Sequence, residues 1–210
     1  MSGLWTDRDL DIVETLTRRV RLLTLEQVAG IWWPDAVTLR VVRRRLRKLA
    51  DAGLIERRVI NIGVRPTPLT PLVGWSPGDD VPNADQISRL ARSRWIRGTV
   101  SRELVSATKL AANLFGSTLT GLPPVHHRDH DLLLSDVYAH YRKAKPVPAS
   151  DWRNADSLPG DRNLPRADAF LVDAEQTVIR AIKSAGRAKP KVISTFHVRL
   201  ANANLAYELW

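Results

Sequence analysis

Cysteine is absent from the chain. Without a thiol there is no disulfide framework, no thiolate nucleophile and no cysteine-ligated zinc site, and redox chemistry is not indicated. Long apolar runs are absent too, since no stretch approaches the roughly 18 uninterrupted apolar residues a membrane span needs. The first residues, MSGLWTDRDLDIVE, turn acidic before the core of a signal peptide can form. These absences point to a soluble, cytoplasmic, nucleoid-associated protein with no membrane partner. Neither a Walker loop nor a GxGxxG is found, so nothing calls for a nucleotide, and no cofactor is expected. Acids are the last scarcity: 22 Asp and Glu stand against 32 Lys and Arg, a formal charge of +10. Such an imbalance raises the local potential and attracts a polyanion, nucleic acid first of all.

The 210 residues, 44% of them hydrophobic, suffice for one large core or two small ones. The division expected from composition is a head over residues 1–75, a linker over 76–85 in the Pro, Gly and Asp cluster SPGDDVPNAD, and a body over 86–210. The charge is local. Residues 36–65 hold nine cations (Arg40, Arg43, Arg44, Arg45, Arg47, Lys48, Arg57, Arg58 and Arg65) against the two anions Asp51 and Glu56.

Three helices and a hairpin are predicted for the head. Thr6 suits the N-cap of DRDLDIVETLTRR and Thr24 that of LEQVAGIWW, a short helix stopped by Pro34. A third helix is expected to begin near Asp35, with Leu39, Val42, Leu46 and Leu49 as its core stripe and Gly53 just past its end. Arg40, Arg44 and Arg47 then cluster away from that stripe, with Arg43 on its flank. After it, LIERRVINIGVRPTPLTPLVGW reads as two extended runs around a turn at residues 61–63.

That order describes a winged helix-turn-helix, whose third helix enters the major groove while the hairpin reaches phosphate or minor groove. Ordinary surface helices mix charge signs to gain i,i+4 pairs, and this one does not. Near the helix start, Arg40, Arg43 and Arg44 are placed to reach base edges. Arg47, Arg57, Arg58 and Arg65 are placed for phosphate, while Arg45 and Lys48 lie to the side and matter least.

TDRDLDIVETLTRRVRLLTLEQVAGIWW, with LRVVRRRLRKLADAGLIERR behind it, resembles the winged-helix head of the replication-relaxation family, proteins of plasmids, integrative elements and phages, and less specifically that of MarR-type regulators. GWSPGDD, RSRW, HDLLLSDVYAHYR, DWRNAD, LPRADAFLV and FHVRLANANLAYELW follow in the order family members show. The resemblance implies a DNA-binding regulator or replication-control factor of a mobile element.

In the body, residues 84–116 read as helix broken near Gly98, carrying a second basic patch of Arg89, Arg92, Arg94 and Arg97. A helix over HDLLLSDVYAHYRKAK turns Leu134, Val137, Tyr138 and Tyr141 inward. ADAFLVD and TVIRAI read as strands, KPKVISTFHVRLANAN as helix and LAYELW as a last strand. The overall class is α+β: the winged-helix head on a mixed α/β body that either dimerises or holds a partner.

The resemblance also admits an enzyme, because family members can carry carboxylates on two adjacent strands in the manner of restriction-endonuclease-like nucleases, a pattern that holds Mg²⁺. Asp168 fits the first position, but Arg180 and Ile182 stand where glutamates belong, with Lys183 beside them. A degenerate sheet with no catalytic residue and no metal is therefore the expectation. His126, His127 and His130, with Asp129 and Asp131, read as a loop followed by a helix cap rather than a metal site, and His197 as a packed histidine. The seven tryptophans, which could stack on exposed bases, are mostly assigned to the core. Double-stranded DNA is the expected partner and a second copy of the chain a further one. An assembly protein whose basic face meets an acidic protein is the third class.

Overall fold

The structure, a computed structural model, describes residues 5–34, 38–64, 70–95, 98–144, 152–157 and 166–210. It is a mixed α+β protein of seven α-helices and two sheets. Helix α1 (Asp7–Glu14) runs into a π-helical turn (Thr15–Arg19), followed by β1 (Leu22–Thr24), α2 (Leu25–Trp32), α3 (Leu39–Asp51) and β2 (Ile55–Gly63). Both expected N-caps are present as full capping boxes. Thr6 accepts from the Asp9 N–H while the Asp9 carboxylate accepts from the Thr6 N–H, and Thr24 and Gln27 repeat the exchange. Gly53 closes α3 at φ +72°, with the Gly53 N–H on the Ala50 carbonyl and the Leu54 N–H on that of Leu49, a Schellman ending. The start expected near Asp35 falls on residues outside those described, and the helix is entered from Thr38.

Strand β2 corrects the sequence reading. No turn interrupts it at residues 61–63, because it pairs without a break, from Ile55 opposite Ala107 to Gly63 opposite Thr99, with β4 (Thr99–Ala107). Those nine residues of β4 were expected to be helical. They are central in a sheet of order β1–β4–β2, and the strand's inner half is buried on both faces, so the alternation that marks a one-sided strand is missing. Leu104 packs with Leu22, Ile62 and Leu132 on one face, while Val105 and Ala107 join the main core on the other. The segment expected to open the body thus completes the first sheet.

Between β2 and β4 the chain makes an excursion. Of the extended run over 64–75, residues 65–69 lie outside those described, and Val73–Trp75 forms β3, which pairs with the last strand of the chain rather than with β2. Residues 76–83 are turn and irregular, and α4 (Ala84–Ser93) follows. Beyond β4 come α5 (Lys109–Leu114), α6 (Val125–Ala144), β5 (Trp152–Asn154), β6 (Ala169–Val172), β7 (Val178–Lys183), α7 (Pro190–Asn202) and β8 (Ala206–Leu209). These strands, joined by β3, form a second sheet of order β3–β8–β7–β6–β5, in which β7 and β8 are parallel and joined through α7, and the other pairs are antiparallel.

The second sheet is covered on both faces. Phe170, Ala181, Tyr207 and Leu209 meet Ile87 and Ala91 of α4 and Ile193, Phe196 and Leu200 of α7. Ala169, Leu171, Ile182 and Trp210 face Val137, Tyr138 and Tyr141 of α6, and this cluster runs without interruption into Ile12, Leu16, Val42, Leu46 and Leu49 of the first three helices. One core therefore joins the two sheets. The π-helical turn helps by opening the carbonyl of Arg19, which accepts from the Trp152 indole N–H at 2.9 Å and from the Asn154 amide at 3.4 Å.

A fragment ending at residue 75 would lack β4 and leave Leu104's partners and the inner edges of β1 and β2 unpaired. Expressed alone, it is expected to show no cooperative thermal transition by circular dichroism; a sharp transition would contradict the shared-sheet architecture.

Candidate nucleic-acid interface

Helix α3 turns two different faces outward and inward. Val42, Leu46 and Leu49 are fully buried and Leu39 partly so, as the three-and-four spacing predicts. Arg40, Arg43, Arg44, Arg47 and Lys48 are exposed. Among the described residues no carboxylate pairs with Arg40, Arg44, Arg47 or Lys48. Arg40, Arg43, Arg44 and Arg47 line an open groove of about 410 Å³ together with Val41.

The other expected contact residues divide. Arg43 and Arg57 converge on one carboxylate, Glu103 of β4: the Arg43 Nε lies 3.0 Å from Oε2 and the Arg57 Nε 2.8 Å from Oε1. Burial would raise the Glu103 pKa, but the two guanidinium groups outweigh it and hold the carboxyl below its ordinary range. Arg58 is exposed beside Glu56 at 3.4 Å, a pair that solvent renders weak. Arg65 and Arg97 lie outside the described residues. Arg89 and Arg92 are exposed on α4 and Arg94 is half-buried just after it. This second patch stands on the helix that packs beside α7, away from α3 in the chain order of the sheets.

Arg45, expected to matter least, is structural. Its guanidinium forks onto Asp9, which is 1% exposed, with the Nε at 2.6 Å from Oδ1 and Nη2 on Oδ2. Asp9 also closes the Thr6 capping box, so one carboxylate fixes the start of α1 and ties α3 to it. Burial pushes its pKa up, yet the Arg45 and Thr6 hydrogen bonds prevail and lower it. The capping box is a sequence signal for Asp9; nothing local signals a partner 36 residues away.

At the body's expected carboxylate, Asp168, cations gather. The His130 Nε2 lies 3.4 Å from Oδ2, the Lys183 Nζ lies 3.5 Å from Oδ1, and the Ser184 N–H donates to Oδ2 at 2.7 Å. Burial opposes ionisation of Asp168, but His130 and Lys183 reverse the balance, so its pKa is lowered and that of His130 is raised, chiefly through their hydrogen bond. His126, His127 and His130 lie within α6 rather than in a loop before a cap, because the helix begins at Val125. Asp129 uses its carboxylate to accept the Gly63 N–H at 3.1 Å, at the far end of β2. Among the described residues no three His, Asp or Glu side chains are arranged to hold a metal ion. His197 is buried and packed, its Nδ1 3.1 Å from the Tyr207 hydroxyl. Trp32, Trp75, Trp152 and Trp210 are buried in the core. Among the described residues no helix is long and apolar enough to cross a membrane.

Comparison with family models, with curated proteins and with solved structures finds no match to the chain.

Because the native pKa of Asp9 is lowered, the carboxylate stabilises the fold above its unfolded value near 3.8, and that contribution disappears as pH falls through the native value. Asp9→Asn is expected to cost about 1–3 kcal/mol at neutral pH, by leaving Arg45 and the Thr6 cap imperfectly paired. In urea titrations across pH, the gap between wild type and variant should narrow below about pH 4. A gap that is constant with pH would mean the charge on Asp9 plays no part.

Proposed function

We propose that the protein binds double-stranded DNA through α3, as a transcriptional regulator or replication-control factor of a mobile element. The observation that carries this reading is the row Arg40, Arg44 and Arg47, exposed, unpaired among the described residues and gathered in one groove. A protein surface ordinarily compensates its guanidinium groups with nearby carboxylates, and here the charge is left for a ligand.

The order α1, β1, α2, α3, β2, β4 supports a winged helix-turn-helix, in which α3 lies in the major groove and β2 with β4 forms the wing. In this reading the excursion carrying β3 and α4 is an insertion at the tip of the wing. The likeness of the chain's segments to the replication-relaxation family points the same way. Glu103 gives the interface a second property: it orients Arg43 and Arg57 towards each other between α3 and the wing, and partly neutralises both. The body's order α6, β5, β6, β7, α7, β8 agrees with a degenerate restriction-endonuclease-like sheet, but His130 and Lys183 occupy the surroundings of Asp168 where a second carboxylate would be needed, so a metal-dependent nuclease is the weaker reading.

A salt titration of duplex binding tests the proposal. Replacing Arg40, Arg44 and Arg47 together by alanine is expected to lower the slope of log K against log salt by about 2.7, or about 0.9 per lost phosphate contact. Base contacts among the three would add a loss of preference for the selected sequence over a scrambled one. Glu103→Gln should act in the opposite sense, tightening binding and raising the slope by up to about 1.8 as Arg43 and Arg57 are released. Unchanged slopes in both variants would remove α3 from the interface.

A further inference from the structure

A second cationic site lies on the body, on the face of the sheet opposite α6. Lys191 and Arg199 of α7, Lys183 of β7 and Arg166 ahead of β6 surround a cavity of about 360 Å³, within the usual range of ligand sites. Its apolar side is made by Val192 and Phe196, and the Lys183 Nζ stands 5.5 Å from the Phe196 ring centroid. The Thr195 hydroxyl is the neutral polar group of the lining.

Two features distinguish this cluster from a solvated surface. The first is its lack of counter-charge: among the described residues the four cations make one ion pair, Lys183 with Asp168, and that carboxylate is shared with His130 and the Ser184 N–H. The second is the placement of Lys191. It sits in the first turn of α7, which holds no acid and whose N-cap Lys189 gives no side-chain cap. The helix macrodipole disfavours cations there, so folding places positive charge against positive potential, a cost that an anion in the cavity would relieve.

We propose that this cavity binds a phosphate of the DNA backbone, with the apolar side receiving the attached sugar. The cations supply charge-assisted hydrogen bonds and the open N–H groups of the α7 start add to them. A nucleic-acid source is favoured by position. The far end of β2 is fastened to Asp129 through the Gly63 N–H, the next residue His130 meets Asp168, and Asp168 meets Lys183 at the cavity. The cavity is thus linked by consecutive contacts to the end of the wing, and a duplex held by α3 and the wing has this site as its neighbouring anchor. The choice of DNA as the source of phosphate rests on the reading of α3; the cavity's anion chemistry does not.

The test uses the full chain with Lys191→Gln and Arg199→Gln combined, against a control that removes two exposed cations elsewhere, Lys109→Gln with Lys143→Gln. Probes are a duplex long enough to extend past the wing, deoxythymidine monophosphate and inorganic phosphate. The expected result is a duplex salt slope lower by about 0.9–1.8 in the cavity variant and unchanged in the control, together with loss of the thermal stabilisation that the mononucleotide gives. Loss of mononucleotide binding with an unaltered duplex slope would overturn DNA as the ligand and leave a free nucleotide as the source. Equal behaviour of the cavity variant, the control and wild type towards every probe would overturn the site. The Arg40, Arg44 and Arg47 variant keeps the two readings apart: it should still bind the mononucleotide, and retained duplex affinity in that variant would count against α3 alone.

Discussion

The nine-residue pairing of β2 with β4 is the constraint on which the rest of the structure depends. It brings together residues that are separated by an excursion containing β3 and α4, and it places both ends of that excursion at one end of the ladder, at Gly63 and Thr99. The excursion cannot then fold as a free extension. Its strand β3 is committed to β8 at the C-terminus, and its helix α4 to α7 through Ser88, whose hydroxyl donates to the Ala188 carbonyl at 2.8 Å. Loop closure over such a length costs little more than over a short one, because the entropy grows only logarithmically. Two well-formed sheets can therefore be interleaved in sequence without a large penalty.

Interleaving changes what the boundary between the sheets must do. Where two domains meet through a linker, the interface is usually polar and admits relative motion. Here Trp152, Tyr138 and Tyr141 sit in the same apolar cluster as the helices of the first sheet, and the polar groups among them are satisfied. The Tyr138 hydroxyl meets that of Thr15 at 3.3 Å, and the Tyr141 hydroxyl donates to Glu208 at 2.5 Å, which in turn holds Arg180 at 2.6 Å and the Trp210 indole at 3.0 Å. Burial and the Glu208 carboxylate both favour the protonated phenol of Tyr141 and raise its pKa. A joint of this kind holds orientation, so the position of α3 relative to the α7 cavity is a property of the fold rather than of a hinge.

The sequence made the helices of the first sheet legible because their signals are local. Thr6, Thr24 and Gly53 mark ends through hydrogen bonds made within a turn, and the Val42, Leu46 and Leu49 stripe reports a face through spacing alone. The strand at 99–107 was hidden for the opposite reason: its identity depends on partners at 22–24 and 55–63 and on cover from both sides, so VSRELVSA shows neither clean alternation nor a turn beside it. The same distinction divides the candidate site. That α3 carries a basic face can be read from Arg40, Arg44 and Arg47 at helical spacing; that Arg45 belongs to Asp9, and that Arg43 and Arg57 share Glu103, follows only from the packing of α3 on α1 and of β2 on β4. The cavity on α7 was illegible because its cations come from four separated positions, one on a strand, two on a helix and one before a strand.

The distribution of the acids explains how a chain with 22 of them presents such a strongly positive surface. Asp9 and Glu103 are turned to Arg45, Arg43 and Arg57. Asp11 accepts from the Trp32 indole and Arg142, Asp168 is enclosed by His130, Lys183 and a backbone N–H, and Glu208 is buried. Each of these carboxylates neutralises a cation or a donor inside the structure, where the lower dielectric makes the pairing stronger than it would be at the surface. The cations left over are those whose side chains point away from the core: Arg40, Arg44, Arg47 and Lys48 on α3, and Arg166, Lys191 and Arg199 around the α7 cavity. Consequently the net charge is not spread over the molecule. The fold concentrates it on two faces, and the same ion pairs that fix α3 and Asp168 in place remove the acids that would otherwise screen those faces.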